Sequence, residues 1–336
     1  MQQFRFISTL LFSLSLFGLA CDPSVEQSTA DGGQKTDGPS ENTDGVGADF
    51  YEPGEHAVEV VSIAKGEGES PRNIRVMVPE DGGAHPVIFF FPGFLCVASW
   101  YDSITTHLAS YGFIVATIQT VERGLGFPVN RPKIPEETLR AIDAVQWLKD
   151  NLDSRIEATP DLSSTGYAGH SRGAKIAWNI VRTRPDLLVG AIAGIDPVDG
   201  TGVPAGSDIQ VIKEPLTYDM PSLVFGTGLG PVVKSMMACA PKNDGHLHFW
   251  ENVPSPAYHV VAVEFGHMEM LDDGVSCGAT CSSCASSQNG NRETLRRQIG
   301  GSLALFFNSA LRGETTCAHL LTEPELAPAL ITTDSK

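Results

Sequence analysis

The sequence predicts an α/β fold, with a mostly parallel central sheet that carries helices on both faces. Short apolar runs that suit buried strands alternate along the chain with longer segments whose apolar residues recur at helical spacing. The 34 glycines and 22 prolines mark many tight turns between these segments, which disfavours a helical bundle. Strands that alternate with helices are typical of a parallel sheet covered on both sides. We find no internal repeat.

The predicted elements begin with two strands, Ala57–Ala64 and Asn73–Val78, whose alternating patterns suggest an antiparallel pair. Pro86–Phe91 is continuously apolar, as in a strand buried on both faces. A helix begins at Pro135, whose fixed φ suits a first turn, and its apolar residues keep helical spacing to Leu152. The same patterns predict further elements at Ser99–Ser110, Phe113–Ile118, Thr165–Ala168, Arg172–Arg182, Leu188–Ile195, Ser222–Phe225, Tyr258–Phe265 and Glu293–Leu311.

Charge and composition exclude several classes of protein. The 336 residues include 23 basic and 40 acidic side chains, which gives a formal net charge of −17. Without a basic stripe, this balance argues against binding to nucleic acid and against electrostatic attachment to anionic membranes. With 42% hydrophobic and 19% charged residues, the chain can bury a large core in one or two domains.

The first 20 residues are predicted to be an export signal, because Arg5 precedes an apolar run too short to span a bilayer as a helix. Leu16–Cys21 resembles a bacterial lipoprotein box, so Cys21 is the candidate for lipid attachment; the alternative is ordinary cleavage that leaves a plain thiol. Residues 21–55 are acidic and poor in large apolar groups, which predicts a flexible tether before a folded domain at 56–336. We therefore expect an exported protein that is lipid-anchored at the bacterial cell envelope, or else periplasmic or secreted.

Six further cysteines suggest disulfides in an oxidising compartment, although the sequence does not choose their pairing. They are Cys96, Cys239, Cys277, Cys281, Cys284 and Cys317. The cluster Cys277, Cys281 and Cys284 could instead supply zinc ligands, and His246 and His248, expected in a loop, form a second candidate metal pair. We favour disulfides and predict no metal and no organic cofactor.

A sharp strand-to-helix turn is predicted at Gly169-His170-Ser171-Arg172-Gly173, a Gly-x-Ser-x-Gly match that follows a strand and begins a helix. Gly169 and Gly173 leave room for this turn, which projects the Ser171 hydroxyl from the carboxyl edge of the sheet. It also directs a developing oxyanion toward the positive end of the helix. This nucleophile elbow predicts a catalytic serine and refines the fold to an α/β-hydrolase catalytic domain.

A serine nucleophile needs a histidine base and a carboxylate that orients it. In α/β-hydrolases these residues occur along the chain in the order serine, acid, histidine. His267 comes directly after the predicted strand Tyr258–Phe265 and is the expected base. Asp196 ends the strand Leu188–Ile195 and is the expected acid, with Asp199 in reserve. Asp272 and Asp273 follow His267, break the order, and are expected to face solvent or cap a loop.

The oxyanion hole needs two backbone donors, and we assign them to the N–H groups of Phe94 and Arg172. Phe94 lies in the loop after the strand Pro86–Phe91, where Pro92 cannot donate. The Arg172 side chain could hold this loop through a salt bridge or contact a substrate carbonyl, and we favour the salt bridge.

Ordered blocks between Pro86 and Phe307 resemble the chlorophyllase family of α/β-hydrolases. They are the Arg-containing elbow, Gly194-Ile195-Asp196-Pro197-Val198-Asp199-Gly200, Phe225-Gly226-Thr227-Gly228-Leu229-Gly230, Cys239-Ala240-Pro241 and Phe265-Gly266-His267-Met268-Glu269-Met270-Leu271-Asp272-Asp273. The resemblance implies that Ser171, Asp196 and His267 are nucleophile, acid and base. It also implies hydrolysis of the phytyl ester of chlorophyll to chlorophyllide and phytol.

The expected partner is therefore a hydrophobic small-molecule ester, with membrane contact only through the lipid anchor. Two alternatives remain at this stage. An exported general carboxylesterase or cutinase-like polyester hydrolase would use the same fold and triad with a different pocket. A surface binding protein on an inactive hydrolase fold is disfavoured, because the three site residues are present in the right order.

Overall fold

The structure is a computed structural model that describes residues 49–121, 132–187, 189–200, 209–235, 237–275 and 277–336. The predicted signal, Cys21 and most of the predicted tether lie outside the described residues. Nine strands form one sheet: β1 (Val58–Ile63), β2 (Ile74–Pro79), β3 (Ala84–Phe91), β4 (Ile114–Ile118), β5 (Thr159–His170), β6 (Ala191–Ile195), β7 (Ser222–Thr227), β8 (Ala257–Ala262) and β9 (Ile331–Ser335).

The α-helices in the described residues are α1 (Asp102–Ser110), α2 (Ile134–Asn151), α3 (Arg172–Thr183), α4 (His246–Asn252), α5 (Gly278–Ser282), α6 (Arg292–Arg312) and α7 (Thr315–Leu320). No helix in these ranges combines the length and apolarity that crossing a bilayer requires.

The sheet order is β1-β2-β4-β3-β5-β6-β7-β8-β9. The strands from β4 to β8 in this order are parallel, whereas β1, β2 and β9 pair antiparallel at the two edges. The helix α2 packs on α3 over one face and α1 packs on α6 over the other. The predicted α/β fold is confirmed. Ser171 and Asp196 directly follow the carboxyl ends of the parallel strands β5 and β6.

Alternation along β5 shows how each face is filled. Tyr167 is fully buried in the cluster that holds Trp178 of α3. The neighbouring Gly166 faces the other way, where a Cβ atom would lie 2.7 Å from the Phe307 ring of α6. Central strands buried on both faces explain the continuous apolar runs of the sequence.

The folded region begins earlier than the predicted boundary at residue 56. Phe50 stacks on Tyr111 with ring centroids 4.9 Å apart, and Tyr51 is also buried. The Tyr111 hydroxyl lies 2.9 Å from the Asp49 carbonyl and 2.7 Å from that of Glu52. The acidic composition of residues 49–55 predicts a tether, whereas the structure packs this short segment against the domain through Phe50 and Tyr51.

Several element bounds also differ from the sequence predictions. The strand before Ser171 starts at Thr159 rather than Thr165, and β9 was not predicted because its threonines and acidic residue resemble a polar tail. His246 and His248 lie on α4, not in a loop. The predicted pairing of the first two strands is confirmed as antiparallel.

Candidate active site

Ser171 lies at the turn between β5 and α3, with φ 53° and ψ −120°. The turn is crowded on both sides. A Cβ atom on Gly169 would lie 2.6 Å from the Gly173 carbonyl carbon, and one on Gly173 would overlap the Phe91 carbonyl oxygen. Only glycine fits at these two positions, for the reason that the elbow motif suggests. Ser171 itself is buried, with its amide donating to the Ile195 carbonyl of β6.

The structure brings Ser171, His267 and Asp196 into one hydrogen-bonded row. His267 Nε2 lies 2.9 Å from Ser171 Oγ, and His267 Nδ1 lies 2.7 Å from Asp196 Oδ2. Because an ionised carboxylate only accepts, Nδ1–H donates to Asp196, which leaves Nε2 to accept from the Ser171 hydroxyl. All three side chains are buried, so this row is shielded from competing water.

His267 reaches this position from a turn, not from the end of a strand. The strand β8 ends at Ala262, and residues 263–264 turn before Phe265 is buried again. The sequence extended the strand to Phe265 because a buried aromatic residue in a turn continues the apolar run. The expectation that His267 directly follows its strand is therefore wrong, although the residue still lies at the carboxyl edge.

Asp196 is completely buried and is fixed by three donors. Thr227 donates its amide to Oδ1 over 3.1 Å and its hydroxyl to Oδ2 over 2.7 Å, beside the bond from His267. Burial alone would raise the pKa of Asp196, but the hydrogen bond and charge of His267, with smaller help from Thr227, hold it below its ordinary value. No sequence signal marks Thr227 as a partner of Asp196, because the block at the end of β7 contains no carboxylate and a threonine there matches no acid or base motif.

Backbone strain concentrates around these residues. Ser171, Asp196 and Leu95 have φ values of 53°, 40° and 57°, in the left-handed region that side chains disfavour. Glu69 is the other non-glycine residue with positive φ in the described ranges. Strain of this kind persists where surrounding contacts enforce it, and it tends to cluster at functional sites.

Asp199, the reserve acid, does not approach His267. Its carboxylate accepts the backbone amides of Val211 and Ile212 over 2.7 and 2.9 Å. Lys175 Nζ lies 3.8 Å from its Oδ1, and His248 Nε2 lies 3.2 Å from its Oδ2. Asp199 therefore anchors the segment at 211–212 from within the protein.

Arg172 and Phe94, the predicted oxyanion donors, lie on facing sides of the elbow. The helix α3 begins at Arg172, and its guanidinium centre lies 5.7 Å from the centroid of the Phe94 ring. Arg172 Nε donates to Glu137 Oε2 over 2.6 Å, and Nη2 donates to the Pro132 carbonyl over 3.0 Å. The favoured salt bridge is thus present, and Glu137 is its buried partner on α2.

The loop that carries His267 is braced by Glu269 and by a disulfide. Glu269 Oε2 accepts the Gly266 amide over 2.7 Å and the Ser287 amide over 2.8 Å. Ser287 is three residues after Cys284, which forms a disulfide with Cys239 in the segment after β7. The segments that follow β7 and β8 are therefore linked covalently. Asp273 is exposed beside Arg296, as expected, whereas Asp272 is half-buried and accepts the Ser103 amide in the first turn of α1.

The metal alternatives are wrong for the described residues. Cys277 is bonded to Cys281, and Cys284 to Cys239, so none of these thiols is available as a zinc ligand. His246 and His248 separate: His246 Nδ1 lies 2.9 Å from His259 Nε2, whereas His248 faces Asp199. In the ranges that the structure covers, no group of three histidine, cysteine or carboxylate side chains could hold a metal ion.

The sheet order and the serine elbow define the class of this protein, which is an α/β-hydrolase. A model of the chlorophyllase family matches residues 46–335, further at both ends than the blocks noted in the sequence. The chain belongs to the chlorophyllase family. It is a chlorophyllase-like carboxylic ester hydrolase.

Three curated plant proteins illustrate this relationship. Chlorophyllase-2 of Arabidopsis thaliana is 32% identical over 257 residues, which are 73% of this chain and 79% of the plant protein. Chlorophyllase-1 of the same plant is 30% identical, covering 77% and 82% of the two chains. Chlorophyllase-1, chloroplastic, of Citrus unshiu is 29% identical and covers 77% and 78%.

Proposed function

We propose that this protein cleaves an apolar carboxylic ester, the phytyl ester of chlorophyll, to chlorophyllide and phytol through a triad of Ser171, His267 and Asp196. One observation carries the proposal. The two bonds of 2.9 and 2.7 Å that join these side chains have the donor directions that a serine hydrolase needs.

In the first half of the reaction, Ser171 Oγ attacks the ester carbonyl while His267 Nε2 takes the hydroxyl proton. Asp196 stabilises the imidazolium that forms, and its depressed pKa keeps it ionised for this purpose. The backbone N–H groups of Phe94 and Arg172 hold the oxyanion, the second from the first turn of α3. The protonated His267 then donates to the leaving alcohol oxygen, and the acyl group stays on Ser171.

In the second half, His267 removes a proton from water, which attacks the acyl-enzyme, and then returns that proton to Ser171. The products are the free acid and the restored serine. Every proton in this cycle moves between substrate, water, Ser171 and His267, while Asp196 stays ionised, so the proposed steps use no metal and no organic cofactor.

The apolar substrate is supported by the relatives and by the surface near Asp196. All three plant relatives described above are chlorophyllases by name. In addition, a Cβ atom on Gly230 would lie 2.8 Å from Asp196 Oδ2, and the segment that follows exposes Val232 and Val233. These two exposed aliphatic side chains follow Gly230 by two and three positions, so they are the candidate contacts for the chain of a long alcohol.

The test uses the purified full chain with chlorophyll a and a short-chain nitrophenyl ester. We expect both esters to be cleaved, and Ser171→Ala to lower kcat by more than about 10³-fold on each. Ser164→Ala is the matched control, because Ser164 lies on the same strand and its hydroxyl only donates to the Leu311 carbonyl. Cleavage of the short ester alone would refute chlorophyll as substrate and favour a general carboxylesterase or polyester hydrolase. If neither ester is cleaved and a phosphonate probe does not label Ser171, the enzyme mechanism is wrong.

We also propose that the protein is bacterial, exported and anchored through a lipid on Cys21, with residues 1–20 removed and a tether up to about residue 48. The apolar run and the box at Leu16–Cys21 support this proposal. Metabolic labelling with a radioactive fatty acid should mark the full chain and not Cys21→Ser. An unlabelled mature chain that begins at Cys21 would refute the anchor but leave export standing, and an uncleaved chain retained inside the cell would refute both.

A further inference from the structure

His170 precedes Ser171 in the elbow, and its side chain is completely buried beside His267. Its ring centroid lies 4.7 Å from that of His267, and its Nε2 lies 3.0 Å from the His267 backbone carbonyl. On the other side, its Nδ1 lies 2.7 Å from the Tyr101 hydroxyl. The catalytic steps proposed above do not use His170 or Tyr101.

The donors and acceptors around His170 have one consistent assignment. A backbone carbonyl can only accept, so His170 Nε2–H donates to His267 and the neutral ring accepts at Nδ1. The Tyr101 hydroxyl therefore donates to His170 Nδ1, and it accepts the Gly93 amide over 3.0 Å. These bonds form one chain from the Gly93 backbone to the His267 backbone.

Both side chains in the middle of this chain are held neutral. Burial lowers the pKa of His170 well below its ordinary value, with a further contribution from the nearby His267, and burial raises the pKa of Tyr101 well above its ordinary value. A neutral His170 adds no positive charge beside His267 when that imidazole becomes protonated in the reaction.

The loop at Gly93 is packed directly on this chain. A Cβ atom on Gly93 would lie 2.7 Å from His170 Nδ1 and 3.2 Å from the Tyr101 hydroxyl oxygen. The next residue, Phe94, supplies the amide proposed as an oxyanion donor. The position of that donor is therefore set by the same two side chains that hold the backbone of His267.

We propose that His170 and Tyr101 are positioning residues that fix the oxyanion loop at Gly93–Phe94 relative to the loop that carries His267. This inference rests on the proposed ester hydrolysis. His170 binds the backbone of His267 and Tyr101 binds the backbone of Gly93, so the pair acts by keeping the oxyanion donor and the base in register for the transition state.

The first test compares Tyr101→Phe with Tyr167→Phe in the full chain. Both tyrosines are completely buried and both hydroxyls make hydrogen bonds. The Tyr167 hydroxyl, however, donates to the Leu187 carbonyl, in the core cluster that contains Trp178 of α3. We expect Tyr101→Phe to lower kcat on a short nitrophenyl ester by about 10- to 100-fold, with KM within about 3-fold, because a displaced donor weakens transition-state binding. Tyr167→Phe should change kcat less than about 2-fold.

A pair of His170 variants separates hydrogen bonding from packing. The amide of His170→Gln can still donate to the His267 carbonyl, whereas His170→Leu fills space without a donor. We expect the glutamine variant to retain about a tenth or more of the wild-type kcat and the leucine variant to fall at least about 10-fold below it, at similar melting temperatures. Equal kcat for the two His170 variants, or for Tyr101→Phe and Tyr167→Phe, would overturn the positioning role. If the wild-type protein still cleaved the ester, the proposed ester hydrolysis would stand.

A measurement without turnover distinguishes failure of this inference from failure of the proposed function. Nitrogen-15 spectra of histidine rings in the full chain, assigned with His170→Gln, should show His170 as the neutral Nε2–H form from about pH 5 to pH 8, where an ordinary histidine titrates. A His170 ring that titrates in this range, or that carries its proton on Nδ1, would refute the chain of bonds whether or not any ester is cleaved.

Discussion

Asp196 and Asp199 follow the same strand three positions apart, and both carboxylates are completely removed from water. Their surroundings nevertheless give them different tasks. Asp196 accepts hydrogen bonds from the titratable imidazole of His267 and from the amide and hydroxyl of Thr227. Asp199 faces the backbone amides of a neighbouring segment, with the Lys175 ammonium and the His248 imidazole beside it.

The difference teaches that burial of a carboxylate at a strand end does not by itself identify a catalytic acid. What distinguishes Asp196 is an acceptor oxygen aimed at an imidazole whose other nitrogen meets a serine hydroxyl. Asp199 instead compensates backbone donors that would otherwise be buried without partners, which is a contribution to folding. The two residues should therefore respond in opposite ways to the same chemical change.

The largest expected effect is on catalysis at Asp196. Asp196→Asn should lower kcat by about 10³- to 10⁴-fold, because an amide in place of the carboxylate favours the wrong His267 tautomer and cannot stabilise its cation. Initial rates on a nitrophenyl ester measure this loss, and circular dichroism checks that the fold persists. A variant within 10-fold of wild type would show that another group supplies the acid.

The next effect is on stability at Asp199. Asp199→Asn should lower the free energy of unfolding by about 3 kcal/mol, since it removes a buried negative charge 3.8 Å from Lys175 Nζ and turns one acceptor into a donor facing backbone N–H groups. Urea unfolding measures the change. The control is Asp186→Asn, which removes an exposed partner of Arg184 and should leave the free energy of unfolding almost unchanged. If Asp199→Asn instead abolished kcat in a stable protein, the contrast between the two aspartates would fail.

A smaller effect is expected when the support of Asp196 is weakened. Thr227→Val removes the hydroxyl bond to Oδ2 and keeps the backbone bond to Oδ1, so kcat should fall about 10-fold. Thr117→Val is the matched control, because in the described residues the buried Thr117 hydroxyl has no hydrogen-bond partner. Similar rates for both variants would show that Thr227 does not orient the acid.

The smallest effect concerns pH. The hydrogen bond to Asp199, helped by Asp244 and the Ile212 carbonyl and opposed by partial burial, raises the pKa of His248. The stabilisation is complete below the unfolded pKa of about 6.5 and is lost as pH rises through the higher folded pKa. His248→Gln should flatten this decline, by about 1 kcal/mol or less, in unfolding curves measured from acid to alkaline pH. Parallel curves for the two proteins would exclude the contribution.

The elbow and the order of the three site residues were predictable because their constraints are local. A side chain at Gly169 would clash with the backbone of Gly173, and one at Gly173 would clash with Phe91 on the adjoining strand. The glycines of the motif therefore predict the sharp turn directly. Asp196 is the expected acid because it ends the strand, and its Oδ2 lies 2.7 Å from His267 Nδ1. The central strands were predictable because burial on both faces produces continuous apolar runs.

The partners of these residues could not be predicted, since they depend on contacts between distant segments. Thr227 meets Asp196 only because β6 and β7 pair in one particular register. Glu137 meets Arg172 through the packing of α2 on α3. The strand that precedes His267 ends at Ala262, three residues before the predicted end. A buried Phe265 extends the apolar run of the sequence whether it lies in a turn or in a strand.

The bond between Cys239 and Cys284 has a practical consequence for producing this protein. It joins the segments after β7 and β8 through a buried Cys284 and a half-buried Cys239, and a chain made in a reducing cytoplasm would lack this link. Yield and solubility would then report on the core alone. Specific activity per labelled serine, compared before and after oxidative refolding, is the measure of a correctly finished preparation.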